Sequence, residues 1–194
     1  SADKTVRLWD VATGKAIRTL STQPDVVYSA VFSPDGKAVL TGGADHTVRL
    51  LDAENGRQIR QFTGPKDAVY TVAFSPDGST VVAGGVGLGM ERPAWLWNVG
   101  SSEPVRQMTG HTDDIYRVQF SPDGTRLLTC GYAGSLRVWD VSSGAALSSV
   151  SLREELGLDT LVLYSGCWLP DGKSLAVCGS DSRLWLLPVP AGKP

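Results

Sequence analysis

Short apolar segments alternate with polar turn residues along the whole 194-residue chain. Each segment is only about five to eight residues long, is rich in β-branched and aromatic residues, and is bounded by Gly, Pro, Asp or Asn. This pattern is typical of β-strands joined by tight turns. It leaves no room for long helices, so the sequence predicts an all-β fold.

Two markers recur along these segments and divide the chain into periods. Ser-Pro-Asp-Gly occurs at 33–36, 75–78 and 121–124, and Leu-Pro-Asp-Gly at 169–172, which gives spacings of 42, 46 and 48 residues. Because proline fixes one turn position and glycine relaxes another, this tetrapeptide predicts a tight reversal between the first and second strands of each period. The second marker is an alternating apolar stretch that ends in Trp-Asp or a related pair, as at Trp9-Asp10 and Trp139-Asp140. The repetition predicts units of four antiparallel strands.

The first strand of a period spaces its apolar residues three and then two positions apart. A regular strand alternates faces at every residue, so a bulge is needed to keep all three residues on the inner face. The spacing is found in two periods: Val69, Val72 and Phe74, and again Ile115, Val118 and Phe120.

The Pro-Asp-Gly turns, the terminal Trp-Asp, the pair Gly110-His111 and the period together resemble the WD40-repeat β-propeller family. The resemblance covers the whole chain and about four and a half repeats. It implies a ring of four-stranded WD40-type blades with the first strand innermost. The chain is then a single β-propeller region over 1–194, with blade segments at approximately 1–22, 23–64, 65–110, 111–150 and 151–190.

The chain departs from the hydrogen-bond network that the family places inside each blade. That network uses a His before the first strand, a Ser or Thr in the second, an Asp in the turn before the third, and the Trp. No period has all four, since Ala133 occupies the Asp position in one and Leu51 replaces Trp in another. We therefore expect these blades to rely more on apolar packing than on the network.

The number of strands predicts an incomplete ring. The chain opens with the third and fourth strands of a blade and ends after a third strand, giving seventeen, because Pro188, Pro190 and Pro194 disfavour a further strand. A seven-bladed ring of the family has twenty-eight. The preferred interpretation is the C-terminal part of a larger propeller, whose ring a missing segment or another chain completes. The alternatives are self-association into a closed ring of eight or nine blades, and a four-bladed ring with one spare strand.

Charge and composition narrow the classes of partner. Eighteen Lys and Arg against twenty Asp and Glu give a net charge of −2. The composition therefore does not predict the strongly basic surface of a nucleic-acid-binding protein. No apolar run is long enough to cross a bilayer, so no membrane contact is predicted. Three cysteines lie in apolar stretches without a C-x-x-C pair and are predicted to be small core residues. They favour a reducing compartment, so a cytoplasmic protein is expected, with export as the alternative.

No set of residues predicts catalysis, a cofactor or a metal site. His46 and His111 are far apart in the repeat, and most aspartates occupy turn positions where they cap backbone groups. The glycine-rich run at 84–89 precedes a strand rather than a helix, which favours an extended hairpin loop over a phosphate cradle. We therefore predict no enzyme activity.

Four tyrosines share one register, six residues before the proline of the Pro-Asp-Gly turn: Tyr28, Tyr70, Tyr116 and Tyr164. They begin the innermost strand, where they are either core aromatics between blades or part of a binding surface. Two long stretches emerge on the same face. One spans 86–94 and contains Met90, Glu91 and Arg92, and the other spans 149–160, where Ser151 and Glu154 predict a capped helical turn.

These features predict a partner-binding face formed by the four tyrosines together with Met90, Glu91 and Arg92. The predicted function is a non-catalytic protein–protein interaction scaffold with one or more protein partners. The alternative is a propeller domain of a larger enzyme or redox protein whose catalytic part is not in this chain.

Overall fold

The computed structural model describes residues 1–87 and 92–189, and almost all regular structure in these ranges is β. Seventeen antiparallel strands form five sheets in chain order. The first sheet contains β1 (Thr5–Trp9) and β2 (Ala16–Thr22). The second contains β3 (Val27–Phe32), β4 (Ala38–Gly43), β5 (Val48–Asp52) and β6 (Gln58–Phe62).

The remaining sheets repeat this arrangement. The third sheet contains β7 (Val69–Phe74), β8 (Thr80–Gly85), β9 (Arg92–Asn98) and β10 (Arg106–His111). The fourth contains β11 (Ile115–Phe120), β12 (Arg126–Gly131), β13 (Ser135–Asp140) and β14 (Ala146–Ser151). The fifth contains β15 (Leu163–Trp168), β16 (Ser174–Gly179) and β17 (Leu184–Pro188). The predicted all-β, WD40-type blade architecture is thus confirmed.

The predicted local irregularities are also present. The register of β7 against β8 shifts between Val69 and Thr71, and β11 shifts against β12 between Ile115 and Arg117, as the bulges require. A single helical turn, α1 (Leu152–Glu155), follows β14, and the side chain of Ser151 accepts a hydrogen bond from the Glu154 backbone N–H. That hydrogen bond satisfies one of the free donors at the start of the helix.

The sheets pack face to face, and from the third sheet onward each first strand lies against the first two strands of the preceding sheet. Glycine allows this close approach. A Cβ on Gly42 would lie 2.6 Å from Val69 Cγ1, and one on Gly84 would lie 2.7 Å from Ile115 Cγ2. Apolar clusters fill the space between neighbouring sheets, with Trp97 and Trp139 fully buried in them.

Hydrogen bonds also cross from one sheet to the next. The Ser29 hydroxyl accepts from the Val72 backbone N–H, and the Thr71 hydroxyl accepts from the Val118 N–H, each at 3.3 Å. In the fourth sheet the position equivalent to Ser29 and Thr71 is Arg117. A guanidinium group has no hydrogen-bond acceptor, so Arg117 cannot make the same bond. There Gln119 supplies the bond instead, its Oε1 accepting from the Trp168 N–H at 3.0 Å.

The five sheets form an open arc, and the described strands do not close a ring. The first sheet has only two strands and the fifth only three, so a four-bladed ring is not formed by this part of the chain. Strand β17 extends through Pro188, which pairs with Ser174. Pro190 and Pro194 lie outside the described residues, so the absence of a further strand stays a prediction.

Three expectations need correction. The long stretch predicted at 86–94 is shorter, because Arg92, Pro93 and Ala94 already belong to β9. The stretch predicted at 149–160 likewise begins inside β14, which continues to residue 151. Of the cysteines, Cys130 is buried but Cys167 is exposed on the outer face of the last sheet. Burial raises the pKa of the Cys130 thiol to about 12.

The fourth sheet contains an internal hydrogen-bond network although Ala133 occupies its Asp position, while the expectation that the blades rely more on apolar packing stays a prediction. Trp139 Nε1 donates to the Thr129 hydroxyl at 2.8 Å, and that hydroxyl lies 2.6 Å from His111 Nε2. His111 Nδ1 is 3.0 Å from the Ser135 hydroxyl, which in turn donates to Asp113 at 2.9 Å. Asp113 supplies the carboxylate that Ala133 cannot, because the connection before β11 brings it beside the turn before β13.

The second sheet contains a variant of the same network. Gln23 stands where the fourth sheet has His111, and its Nε2 donates to the Thr41 hydroxyl at 2.9 Å. Arg49 donates to Gln23 Oε1 at 2.9 Å and pairs with Asp45 at 2.7 Å. An amide and an arginine thus replace the histidine and tryptophan without leaving Thr41 unpaired.

Candidate partner-binding surface

The four register-matched tyrosines each occupy the second position of a first strand: Tyr28 in β3, Tyr70 in β7, Tyr116 in β11 and Tyr164 in β15. In each strand the register shifts at this position, so the tyrosine lies at the bulge. A bulge re-aims the side chain it carries. The same local irregularity is therefore repeated at the same end of four neighbouring sheets.

The rings make a continuous series of edge-to-face contacts. The ring centroids of Tyr28 and Tyr70 are 5.1 Å apart, and those of Tyr70 and Tyr116 are 5.4 Å apart. Tyr132, in the turn after β12, extends the series, with its centroid 5.7 Å from that of Tyr116. We call these four residues the tyrosine row: Tyr28, Tyr70, Tyr116 and Tyr132. Tyr164, on the first strand of the fifth sheet, is not part of the row and makes no ring contact with it among the described residues.

The tyrosine row lies at the surface rather than in the core between sheets. Tyr28 is 49% exposed, Tyr132 is 50% exposed and Tyr164 is 56% exposed, whereas Tyr70 and Tyr116 are half-buried between their neighbours. Within the described part of the chain, the tyrosine hydroxyls make no hydrogen bond. These groups are therefore available to a bound molecule.

Carboxylates lie close to the middle of the row. Burial raises the pKa of Tyr70 and of Tyr116, and the negative charge of Asp114 raises both further. Asp67 adds to the effect on Tyr70. Both phenols therefore stay neutral at physiological pH and can donate a hydrogen bond as well as accept one.

Arg92 is the one predicted loop residue that the structure describes, and it lies beside the row. Its Nε donates to Asp114 Oδ1 at 3.0 Å, which joins the third sheet to the connection before β11. Met90 and Glu91 lie outside the described residues. The predicted grouping of Arg92 with the tyrosines thus has a geometric basis, while the binding role of the whole set stays a prediction.

The second long connection reaches the same end of the arc. The Leu152 backbone N–H at the start of α1 donates to the Gly134 carbonyl at 3.0 Å, and Gly134 belongs to the turn that carries Tyr132. Leu152 and Leu161 are buried and fix the connection to the core. The helical turn therefore borders the tyrosine row.

The sequence did not indicate Tyr132, Asp67 or Asp114 as site residues. Tyr132 lacks the register of the other tyrosines, and the available signal was its place in a connection between a second and a third strand, which emerges on the same face. The two aspartates resemble ordinary turn residues. Only the packing of neighbouring sheets brings them to the row.

Other kinds of site find no support among the described residues. No group of three or more His, Cys, Asp and Glu side chains in residues 1–87 and 92–189 is placed to hold a metal ion. In the same ranges, no helix has the length and apolar character needed to cross a membrane.

Comparison with known proteins places repeats along the chain. A sequence model of the family described as "WD domain, G-beta repeat" matches residues 14–52, 56–87 and 102–140, which is more than half of the chain.

Short segments also match individual proteins. The chain is 60% identical over 37 residues to the mouse F-box-like/WD repeat-containing protein TBL1X, covering 19% of this chain and 7% of that protein. It is 57% identical over 37 residues to human F-box-like/WD repeat-containing protein TBL1Y, with the same shares of the two chains. It is 44% identical over 43 residues to the nuclear distribution protein PAC1 of Coccidioides posadasii (strain C735), covering 22% of this chain and 9% of that protein. The matches thus span less than a tenth of each relative's length.

Proposed function

This chain belongs to the WD40-repeat family, and we propose that it is a non-catalytic protein-interaction scaffold that binds its partner through the tyrosine row. The WD40 repeats and the WD-repeat relatives support an interaction scaffold in general. The observation that carries the finer proposal is the row itself, in which four rings from three neighbouring sheets meet at one surface.

Physical chemistry favours a binding role for such a row. Tyrosine combines a large apolar ring with a polar hydroxyl and has few rotatable bonds, so it contributes contact area at low entropic cost. The rings here are held by each other and by the strand bulges, which reduces the ordering that a partner must impose. A row that served only the core would be covered, whereas half of Tyr28 and of Tyr132 is exposed.

The test begins with affinity capture of a partner by the full chain, followed by measurement of its Kd with purified variants. Tyr116→Ala and Tyr28→Ala should each weaken binding by about 1 to 3 kcal/mol. Ile59→Ala is a matched control, because Ile59 is 52% exposed on an outer strand. This variant should bind as the unchanged chain does.

Thermal unfolding of the same variants separates binding from folding. If the tyrosines are interface residues, the affinity falls while the melting temperature changes little. If they are mainly core residues, truncation lowers the stability by several kcal/mol. A partner affinity that stays unchanged alongside a large loss of stability would remove the row from the function.

We further propose that the arc is part of a larger propeller. Among the described residues, no strand pairs with the outer edge of β17 in the fifth sheet or with the inner edge of β1 in the first sheet, so both edges can pair with additional strands. Trp9 is 55% exposed and Leu184 is 69% exposed at the two ends, which leaves apolar surface for neighbouring blades. A chain that remains strictly monomeric in light scattering, with no tendency to associate, would argue against this.

The proposed setting is the cytoplasm. Three free cysteines, one of them buried, are compatible with a reducing compartment. Fractionation of the source cells, with detection of the native protein, tests this location directly.

A further inference from the structure

One carboxylate that acts on Tyr70, that of Asp67, has no hydrogen bond or ion pair with any other residue that the structure describes. Asp67 stands two residues before β7, as Asp113 stands two residues before β11. The Asp113 carboxylate accepts hydrogen bonds from the Ser135 hydroxyl and the Ala133 N–H. Asp67 Oδ2, in contrast, is buried and has no hydrogen-bond partner within the described part of the chain.

The sequence of the third sheet explains this difference. Pro93, two residues before Trp95, stands at the position of Ser135, and Pro65 stands at the position of His111, so neither side chain can donate a hydrogen bond. The network that surrounds Asp113 is therefore missing around Asp67. Its negative charge remains and acts on the Tyr70 ring.

Carboxylates also predominate over basic groups on the connections that share the face of the row. Among the described connections and Arg92 at the start of β9, the basic residues are Lys66, Arg92, Arg153 and Arg183, and the acidic residues are Asp25, Asp45, Asp67, Asp113, Asp114, Glu154, Glu155, Asp159 and Asp181. Acidic residues therefore outnumber basic residues on these connections, although Asp25, Asp45 and Asp114 each form an ion pair.

The Arg92–Asp114 pair shows how this surface receives a cation. The Arg92 guanidinium of the third sheet reaches across to the Asp114 carboxylate of the next connection, and the charge of that carboxylate raises the pKa of Tyr70 and of Tyr116. Aromatic faces attract cations through their quadrupole, and phenol hydroxyls accept hydrogen bonds from guanidinium or ammonium groups. Rings, free hydroxyls and negative charge thus occur together at one place.

We propose that the tyrosine row binds an extended, basic peptide segment of the partner, with arginine or lysine side chains placed against Tyr28, Tyr70 and Tyr116. This inference rests on the proposed function and adds the chemical class of the ligand. The row crosses three sheets at intervals of 5.1 to 5.7 Å between rings. An extended peptide presents side chains on one face at every second residue, about 6.4 to 6.8 Å apart, roughly 1 Å wider than the spacing of the rings.

The test uses the full chain and four acetylated ten-residue peptides in which serine alternates with arginine, lysine, glutamine or glutamate. Binding is followed by NMR of tyrosine rings labelled with carbon-13, because each ring gives its own signal. The arginine and lysine peptides should bind more tightly than the glutamine peptide and should shift the signals of the row. Their affinity should fall as salt is raised, since exposed charge pairs are screened.

Two variants and one control locate the interaction. Tyr28→Ala should weaken binding of the arginine peptide by about two- to fivefold, the range expected for loss of one exposed cation–π contact, and Asp114→Asn should weaken it by up to about fivefold, as expected for loss of one exposed charge pair. Glu54→Gln removes one negative charge from the opposite end of the sheets, where Glu54 is exposed, and should leave the affinity unchanged. Tyr70→Phe keeps the ring and its packing and should retain most of the binding.

The possible outcomes separate this inference from the proposed function. If the glutamine or glutamate peptide binds the row as well as the basic peptides do, the inference fails and the row remains a binding surface. If the basic peptides bind without shifting any tyrosine of the row, or if Glu54→Gln weakens binding as much as Asp114→Asn, the inference fails. If no peptide binds, the inference also fails, and the partner measurements on Tyr116→Ala decide the proposed function separately.

Discussion

Replacing Thr129 by valine tests whether the buried network of the fourth sheet stabilises the fold. Valine nearly matches threonine in shape, and Thr129 is completely buried, so the substitution removes a hydroxyl without opening a large cavity. It leaves Trp139 Nε1 without an acceptor and His111 Nε2 without a hydrogen-bond partner. An unsatisfied buried polar group costs about 1 to 3 kcal/mol, so the expected loss for these two groups is about 2 to 6 kcal/mol.

Thr41→Val provides an internal comparison. Thr41 is equally buried, but among the described residues its hydroxyl accepts only one hydrogen bond from a side chain, that of Gln23 Nε2 in the network of the second sheet. The expected loss is therefore smaller, about 1 to 3 kcal/mol. Thr19→Val is the control, because Thr19 is exposed on strand β2 and should change the stability by no more than about 0.5 kcal/mol.

Urea unfolding followed by circular dichroism measures all three variants. A shift in the midpoint at constant slope reports a change in the free energy of unfolding. The expected order of destabilisation is Thr129→Val, then Thr41→Val, then Thr19→Val. A Thr129→Val protein as stable as Thr19→Val would show that the network contributes nothing beyond packing.

Three further predictions use the same unfolding assay. Burial lowers the pKa of His111, although Asp113 opposes the shift. Protonation of His111 therefore favours the unfolded chain. The free energy of unfolding should be highest above about pH 6.5 and should fall as the pH drops below that value. His111→Gln should flatten that dependence, and an unchanged slope would contradict the assignment. Gly84→Ala should cost about 1 to 3 kcal/mol, because its Cβ would lie 2.7 Å from Ile115, whereas Gly100→Ala, with no atom within 4 Å, should be nearly neutral. Arg106→Ala removes two hydrogen bonds of 2.6 Å to the carbonyls of Ser142 and Ser143 and should cost about 1 kcal/mol, while the exposed Arg57→Ala should not.

The sequence predicted those parts of the fold that depend on local chemistry. The turns at Pro-Asp-Gly, the strand bulges and the cap at Ser151 follow from residues within a few positions of each other, so their patterns are visible in the chain. The register of four tyrosines was visible for the same reason. Their ring contacts depend on the distance between sheets, which local patterns do not contain.

The sequence could not predict substitutions that are compensated from elsewhere in the chain. Asp113 is 22 residues from Ser135, and Gln23 is 26 residues from Arg49. Each pair meets only after the strands have paired. For this reason, Ala133 at the family's Asp position suggested that the network was incomplete. The structure shows that Asp113 makes the corresponding hydrogen bond. The role of Tyr132 could not be predicted for the same reason, because only folding places it next to Tyr116.

The bonds between sheets limit which blades can be exchanged or duplicated. Ser29 and Thr71 each present a hydroxyl acceptor to the sheet that follows. A second copy of the 65–110 segment, inserted after the first, could therefore donate its backbone N–H to Thr71 in the same way. The fifth sheet is different, because its Trp168 backbone N–H donates to Gln119 Oε1. No other described junction between sheets has a hydrogen bond at this position. A chimera that places the fifth sheet directly after the third would lose that bond. Gene duplication in this protein is therefore expected to have been easier in the middle of the arc than at its end.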